Sequence, residues 1–124
     1  MIINYILPVP PSSNMAYPTN FKTKKRYKSQ DALDWEKEAF AVLSKQKRFK
    51  CSGNEKLKVV YTFFTSWMTK KGKIKKKDIE NYVKLLSDFL CKNIEGMDDC
   101  QFWEMTTKKM ESDQDIVHVM ISEI

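Results

Sequence analysis

KKKDIENYVKLLSDFL, residues 75–90, is the stretch that decides the reading of this chain. Three lysines run into Asp78, and Glu80, Asn81 and Lys84 follow. Ile79, Tyr82, Val83, Leu86, Phe89 and Leu90 recur at i, i+3, i+4 and i+7, the spacing of one buried helical stripe. That pattern predicts a helix over residues 79–92. If the helix began before Asp78, Asp78 and Glu80 would lie about 200° apart around its axis. If it begins at 79 or 80, Asp78 is still extended. Side chains at i and i+2 of an extended segment share a face, so the two acids can converge. Asn81, Lys84 and Asp88 fall on the polar face opposite the stripe. A plainer reading stands beside this one. Asp78 could serve only as an N-cap, worth ~1 kcal/mol, and Glu80–Lys84 as an exposed pair worth ~0.3 kcal/mol.

Upstream, IINYIL (2–7) is β-branched and aromatic and reads as a strand, stopped by the prolines of PVPPSSN. Residues 15–28 show no periodicity and read as an exposed loop. Ser29 can cap a helix over about 30–47, with apolar positions at Ala32, Leu33, Trp35, Ala39, Phe40, Val42 and Leu43. CSGNE (51–55) is a turn, LKVVYTFFTSW (57–67) a central strand, and TKKGKIKKK (69–77) a basic loop. Beyond the second helix, NIEGMDD turns around Gly96. Residues 100–110 and 115–123 read as strands joined by ESDQ, as an antiparallel hairpin. The order β-α-β-α-β-β predicts a single α+β domain over residues 1–124, with a four-stranded mixed sheet and two helices.

The 124 residues suit one domain, and 42% apolar with 12% aromatic content supports a modest core. Net charge is +6, and it is clumped. Lys22, Lys24, Lys25, Arg26 and Lys28 form one group; Lys70, Lys71, Lys73, Lys75, Lys76 and Lys77 form another. Together they hold eleven of the 22 Lys and Arg. Clumping creates a local field that attracts polyanions, nucleic acid first and an anionic membrane second. Cys51, Cys91 and Cys100 contain no CxxC pair, and His118 is the sole histidine. That set argues against a zinc site and reads as reduced thiols of a cytoplasmic protein. Proline interrupts the opening stretch too soon for a signal peptide, and no apolar run reaches membrane-spanning length.

Asp98-Asp99, at the mouth of the next strand, is a third carboxylate source. Carboxylates gathered from separate elements suit Mg²⁺, or Mn²⁺, which prefer hard oxygen ligands. Such an ion activates water and neutralises a phosphate under attack. Lys84 could stabilise the transition state, and the flanking lysines could hold a phosphodiester backbone. Equally, Asp98-Asp99 could be turn residues.

The block from KKKDIENYVKLLSDFL to GMDDCQF resembles the RusA family of Holliday junction resolvases. Its pattern is a basic run, then D-x-D-N, a lysine four residues after the second acid, and a later acidic pair followed by Q. Asp78, Glu80, Asn81, Lys84, Asp88, Asp99 and Gln101 occupy those places. LPVPPSSN (7–14), which includes Asn14, resembles the family's proline-rich opening. The resemblance implies a homodimeric, Mg²⁺-dependent endonuclease that nicks four-way DNA junctions in symmetrical pairs, in recombination and repair, in a bacterium or phage-infected host. It implies Asp78, Glu80 and Asp99 as metal-binding acids and Lys84 as the catalytic lysine. DNA contacts fall to Lys73, Lys75, Lys76, Lys77, Lys24, Lys25 and Arg26, with Asn81, Asp88, Asp98 and Asn14 supporting. Neither a membrane nor a small-molecule substrate is expected. Position 80 departs from the family pattern: Glu stands where Asp is usual, one methylene longer. That departure keeps alive a weak or inactive DNA-binding protein of the same fold. A third reading is a small interaction protein with solvated basic loops.

Overall fold

The computed structural model describes residues 1–124. Its elements in chain order are β1 (Ile2–Pro8), a short α1 (Ser13–Ala16), β2 (Thr19–Asn20), β3 (Lys25–Arg26), α2 (Gln30–Ser44), β4 (Leu57–Thr65), α3 (Val83–Asn93), β5 (Phe102–Glu111) and β6 (Ile116–Glu123). Single 3-10 turns, Ile79–Tyr82 and Asp99–Gln101, lead into α3 and β5. The main sheet has the order β1-β6-β4-β5 and is mixed: β4 runs parallel to β5 and antiparallel to β6. α2 and α3 cover one face, giving the expected α+β domain.

β4 is central because its sequence leaves little choice. Leu57, Val59, Val60, Tyr61, Phe63 and Thr65 are all buried. Opposite it, Leu85, Leu86, Phe89 and Leu90 of α3 are buried beneath the sheet. Each such side chain contributes ~1.5–3 kcal/mol on leaving water. The Tyr61 and Ser87 hydroxyls share a 2.9 Å hydrogen bond between strand and helix. In α2, Ser29 Oγ accepts from the Ala32 N–H at 3.1 Å, as the capping reading expected. This helix stops at Ser44 rather than 47. Gln46 has left it to bond Ile6, its Oε1 accepting from the Ile6 N–H and its Nε2 donating to the Ile6 carbonyl. A side chain thereby completes part of the β1 edge.

Two expectations fail. β5 and β6 do not form a hairpin; β4 lies between them. The interior position goes to the strand with one wholly buried face and Val60 and Phe64 on the other, whereas β5 (FWEMTTKKME) is polar enough to stand at an edge. The short connection crosses the end of β4, where the Ser112 N–H bonds the Thr65 carbonyl and Thr65 Oγ1 donates to Asp115. Residues 15–28 are also not simply a loop. They hold the end of α1 and the β2–β3 hairpin, with Thr19 opposite Arg26. Local side-chain bonds from Asn20, not apolar periodicity, make that turn.

Gly96 is needed where it is. Its φ is +76°, and a Cβ there would lie 1.8 Å from the Cys51 carbonyl oxygen. That approach sits beside the Cys51 N–H to Glu95 carbonyl bond that ties the Asp98–Asp99 turn to the start of β4's lead-in. Gly96→Ala is expected to cost more than about 3 kcal/mol in urea unfolding, strain and overpacking combined. Gly72 also has a positive φ but open space around it. Gly72→Ala is expected to cost only about 1 kcal/mol. Equal losses in the two variants would refute the close-approach account.

Candidate nucleic-acid and catalytic site

The helix start falls where the spacing placed it. Asp78 is extended, with φ −86° and ψ 125°, and the 3-10 turn begins at Ile79. Asp78 occupies the N-cap position, yet its carboxylate accepts no capping hydrogen bond. The plain capping role is therefore not what this side chain does. It lines a cavity of about 360 Å³ together with Ser12, Asn14, Lys76, Lys77, Asn81 and Tyr82. The wall is fastened by Ser13 Oγ, which donates to the Asn81 carbonyl at 2.9 Å. Thus the proline-rich segment and the helix start, far apart in sequence, build one pocket.

A second cavity, about 370 Å³, lies on the next turn, lined by Val83, Lys84, Ser87, Asp88, Asp99, Phe102 and Met105. Lys84 Nζ is 3.9 Å from Asp88 Oδ2 and 5.5 Å from the Tyr17 ring centroid. Tyr17 donates its hydroxyl to the same carboxylate at 3.0 Å. Burial, then that bond, raises the Tyr17 pKa. Lys84 therefore pairs with Asp88, not with Glu80. Burial first, and then the negative field of Asp99, Asp98 and Asp88, pushes the Cys91 thiol up to about 12.

The expected acids are thus divided. Asp78 lies in one cavity, Asp88 and Asp99 in the other, and Glu80 is exposed and lines neither. In the tight 3-10 turn, Asn81 rather than Glu80 comes round beside Asp78. Asp98 is a cap: its side chain accepts from the Cys100 N–H, and Gln101 returns the bond to the Asp98 N–H. The Cys100 N–H bond foremost, and then Asp99, hold the Asp98 carboxyl below its ordinary value. No three Asp, Glu, Cys or His side chains come within reach of a single ion. The donors around Asp78 are nonetheless hydroxyl, amide and carboxylate oxygens. Mg²⁺ commonly takes one or two carboxylates and completes its shell with water and substrate phosphate. In donor chemistry the residues fit such an ion.

The basic residues differ in availability. Lys76 and Lys77 line the Asp78 cavity. Lys75 is committed to Ser66 Oγ at 2.9 Å, and Arg26 Nε to the Tyr17 carbonyl at 3.0 Å. Lys24, Lys25 and Lys73 are exposed. The segment carrying Lys70 to Lys75 closes as a tight turn, with Met68 bridged to Ile74 and Gly72 at positive φ. Two contacts escaped the sequence reading. Lys109 of β5 donates to the Lys77 carbonyl at 2.6 Å and lies 4.7 Å over the Trp67 ring. Tyr17 joins the Lys84–Asp88 pair. Neither is legible without knowing that β5 borders the basic turn and α1 borders α3.

Gln101, only 4% exposed, supports the Asp99 turn by donating to Glu55 Oε1 at 3.1 Å. The Glu55 carboxylate also accepts from the Ser52 and Gly53 N–H groups. The Ser52 backbone bond is the main reason its pKa falls from 4.5 to about 2. A depressed carboxylate adds stability above its unfolded value, and this is lost as pH falls through the folded one. Urea midpoints should therefore decline between pH 4.5 and about 2 by an increment that Glu55→Gln lacks. Acid limbs with the same shape in both proteins would remove Glu55 from this role.

The family model described as endodeoxyribonuclease RusA matches residues 8–122. No curated protein matches the chain.

Proposed function

The chain belongs to the RusA endodeoxyribonuclease family, and on that premise we propose that it is a metal-dependent nuclease that resolves four-way DNA junctions by paired nicks. The observation that carries this reading is Asp78: a carboxylate at a helix start, unused as a cap, facing a cavity beside Lys76 and Lys77. A bound Mg²⁺, or Mn²⁺, would supply Lewis acidity toward the scissile phosphate. Asp78 would hold it with Asn81 and Asn14 nearby; Asp99, in the second cavity, would have to be drawn in for a second carboxylate. Glu80 stays in the proposed acid set, but as the member with the least support. Lys76 and Lys77 bind the phosphodiester backbone. Lys84, held by Asp88 and Tyr17, is placed to stabilise negative charge next to Asp99.

A homodimer belongs to the same reading, because a junction has approximate two-fold symmetry. β1 is partly covered by Gln46, whereas β5 is an edge with no strand beyond it. Two copies of β5, antiparallel about Thr106, set Glu104 opposite Lys108 twice, a favourable cross-strand pair. Glu104→Lys is expected to lower the apparent mass in light scattering, and adding Lys108→Glu to restore it. A dimer indifferent to both changes would exclude this edge.

The functional test is a labelled four-way junction incubated with Mg²⁺, with Mn²⁺ and with EDTA. Metal-dependent paired nicks are expected. Asp78→Asn and Asp99→Asn should abolish cleavage and keep binding. Lys76→Ala with Lys77→Ala should lower the salt slope of binding by about 1–2. Junction binding by the wild type without nicks supports the inactive binding protein instead. Undiminished cleavage in both acid variants would sink the site assignment.

A further inference from the structure

The β2–β3 hairpin presents the most exposed large apolar side chain of the molecule. Phe21 is 91% exposed. Its position is held by the turn rather than by any packing. Asn20 Oδ1 accepts from the Lys22 and Thr23 N–H groups at 2.9 and 3.3 Å, and the Asn20 carbonyl accepts from the Lys24 N–H at 2.7 Å. Lys24 adopts φ +56°, which closes the tip. At the base, Arg26 Nε bonds the Tyr17 carbonyl, the Tyr27 N–H bonds the Pro18 carbonyl, and the Ser29 N–H bonds the Ala16 carbonyl. The hairpin is therefore a braced arm with a phenyl ring at its end.

The chemistry around that ring selects a partner. From Thr19 to Lys28 there is no acidic residue; Lys28 at the base is paired with Glu36 at 2.8 Å, and Lys22, Lys24, Lys25 and Arg26 carry four further positive charges. An arm of this kind wants a flat apolar surface set in a dense negative charge. Stacked bases inside a continuous duplex do not offer their faces. The base pairs that end at a branch point do. The arm also begins at Tyr17, which bonds Asp88 and underlies Lys84, two residues that line the cavity holding Asp99.

We infer that the β2–β3 hairpin is a branch-reading arm, with Phe21 stacking on a base pair exposed at the junction centre and the surrounding cations gripping the adjoining phosphates. Aromatic stacking of this type tolerates any base sequence, so the arm reads shape rather than sequence. This inference rests on the junction-nuclease reading, and the test separates the two. Phe21→Ala should weaken four-way junction binding roughly five- to hundredfold while changing linear duplex binding less than twofold. Phe21→Trp should retain the affinity. A 2-aminopurine placed at the branch point should change its fluorescence on binding wild type and Phe21→Trp, but not Phe21→Ala. Equal losses on junction and duplex, or no loss on either, overturn the inference while leaving the nuclease reading intact if wild type still binds and cuts junctions. A loss seen only on anionic phosphatidylserine vesicles assigns the ring to a membrane surface and overturns it too. Wild type that binds no junction removes both readings.

Discussion

The face that α3 turns to the sheet governs everything else. Leu85, Leu86, Phe89 and Leu90 are buried against β4, Trp35 meets Phe89 edge-on at 5.1 Å, and Trp67 meets Tyr82 at 5.7 Å. A helix locked on one side by interdigitated apolar contacts has its opposite side fixed as well. Lys84 and Asp88 therefore project from a surface that cannot rotate. Asp78, one residue before the helical stretch, inherits its position from the same packing. The chemistry is exposed, but its placement is set by residues that never meet solvent.

The site is a meeting of three segments that are remote in sequence. The Ser12–Asn14 turn supplies the wall of one cavity, the 3-10 turn its floor, the Asp98–Gln101 turn the acid of the other, and Tyr17 the bond that holds Asp88. Beyond the packing of Ala16, Tyr17, Ile79, Tyr82, Val83 and Phe102 on one apolar core, hydrogen bonds join these segments, Ser13 to Asn81 and Tyr17 to Asp88, while Gln101 ties its own turn to Glu55. Each is partly exposed, so each is worth only ~1 kcal/mol. That leaves the rim of the site more adaptable than the helix beneath it. Lys84 is exposed there, and Asp78 and Asp99 line two separate cavities.

Much of this was legible in the residues. The i, i+3, i+4 stripe located α3 and the 3-10 turn before it, and Ser29 announced α2, because these signals depend on neighbours within one helical turn. Strand order was not legible. Nothing local in WEMTTKKME says that its parallel neighbour is LKVVYTFFT; that choice came from competition among strands for the interior of the sheet. The β2–β3 hairpin was missed because Asn20 builds it through side-chain bonds that leave no periodic trace. Convergence of Asp78 with Glu80 was reasoned for an ideal extended segment. The 3-10 turn rotates successive residues by about 120°, and that brought Asn81 to the place expected of Glu80.

The topology also dictates when the protein can come into being. β1 has a single strand partner, β6, and their register sets Ile2 against Ser122. β1 therefore waits for β6, more than 100 residues later, before it can pair, and the Ser12–Asn14 wall attached to it waits as well. Such long-range closure slows folding and makes it cooperative. A chain that lacks β6 carries the basic clusters but has no strand to pair with β1.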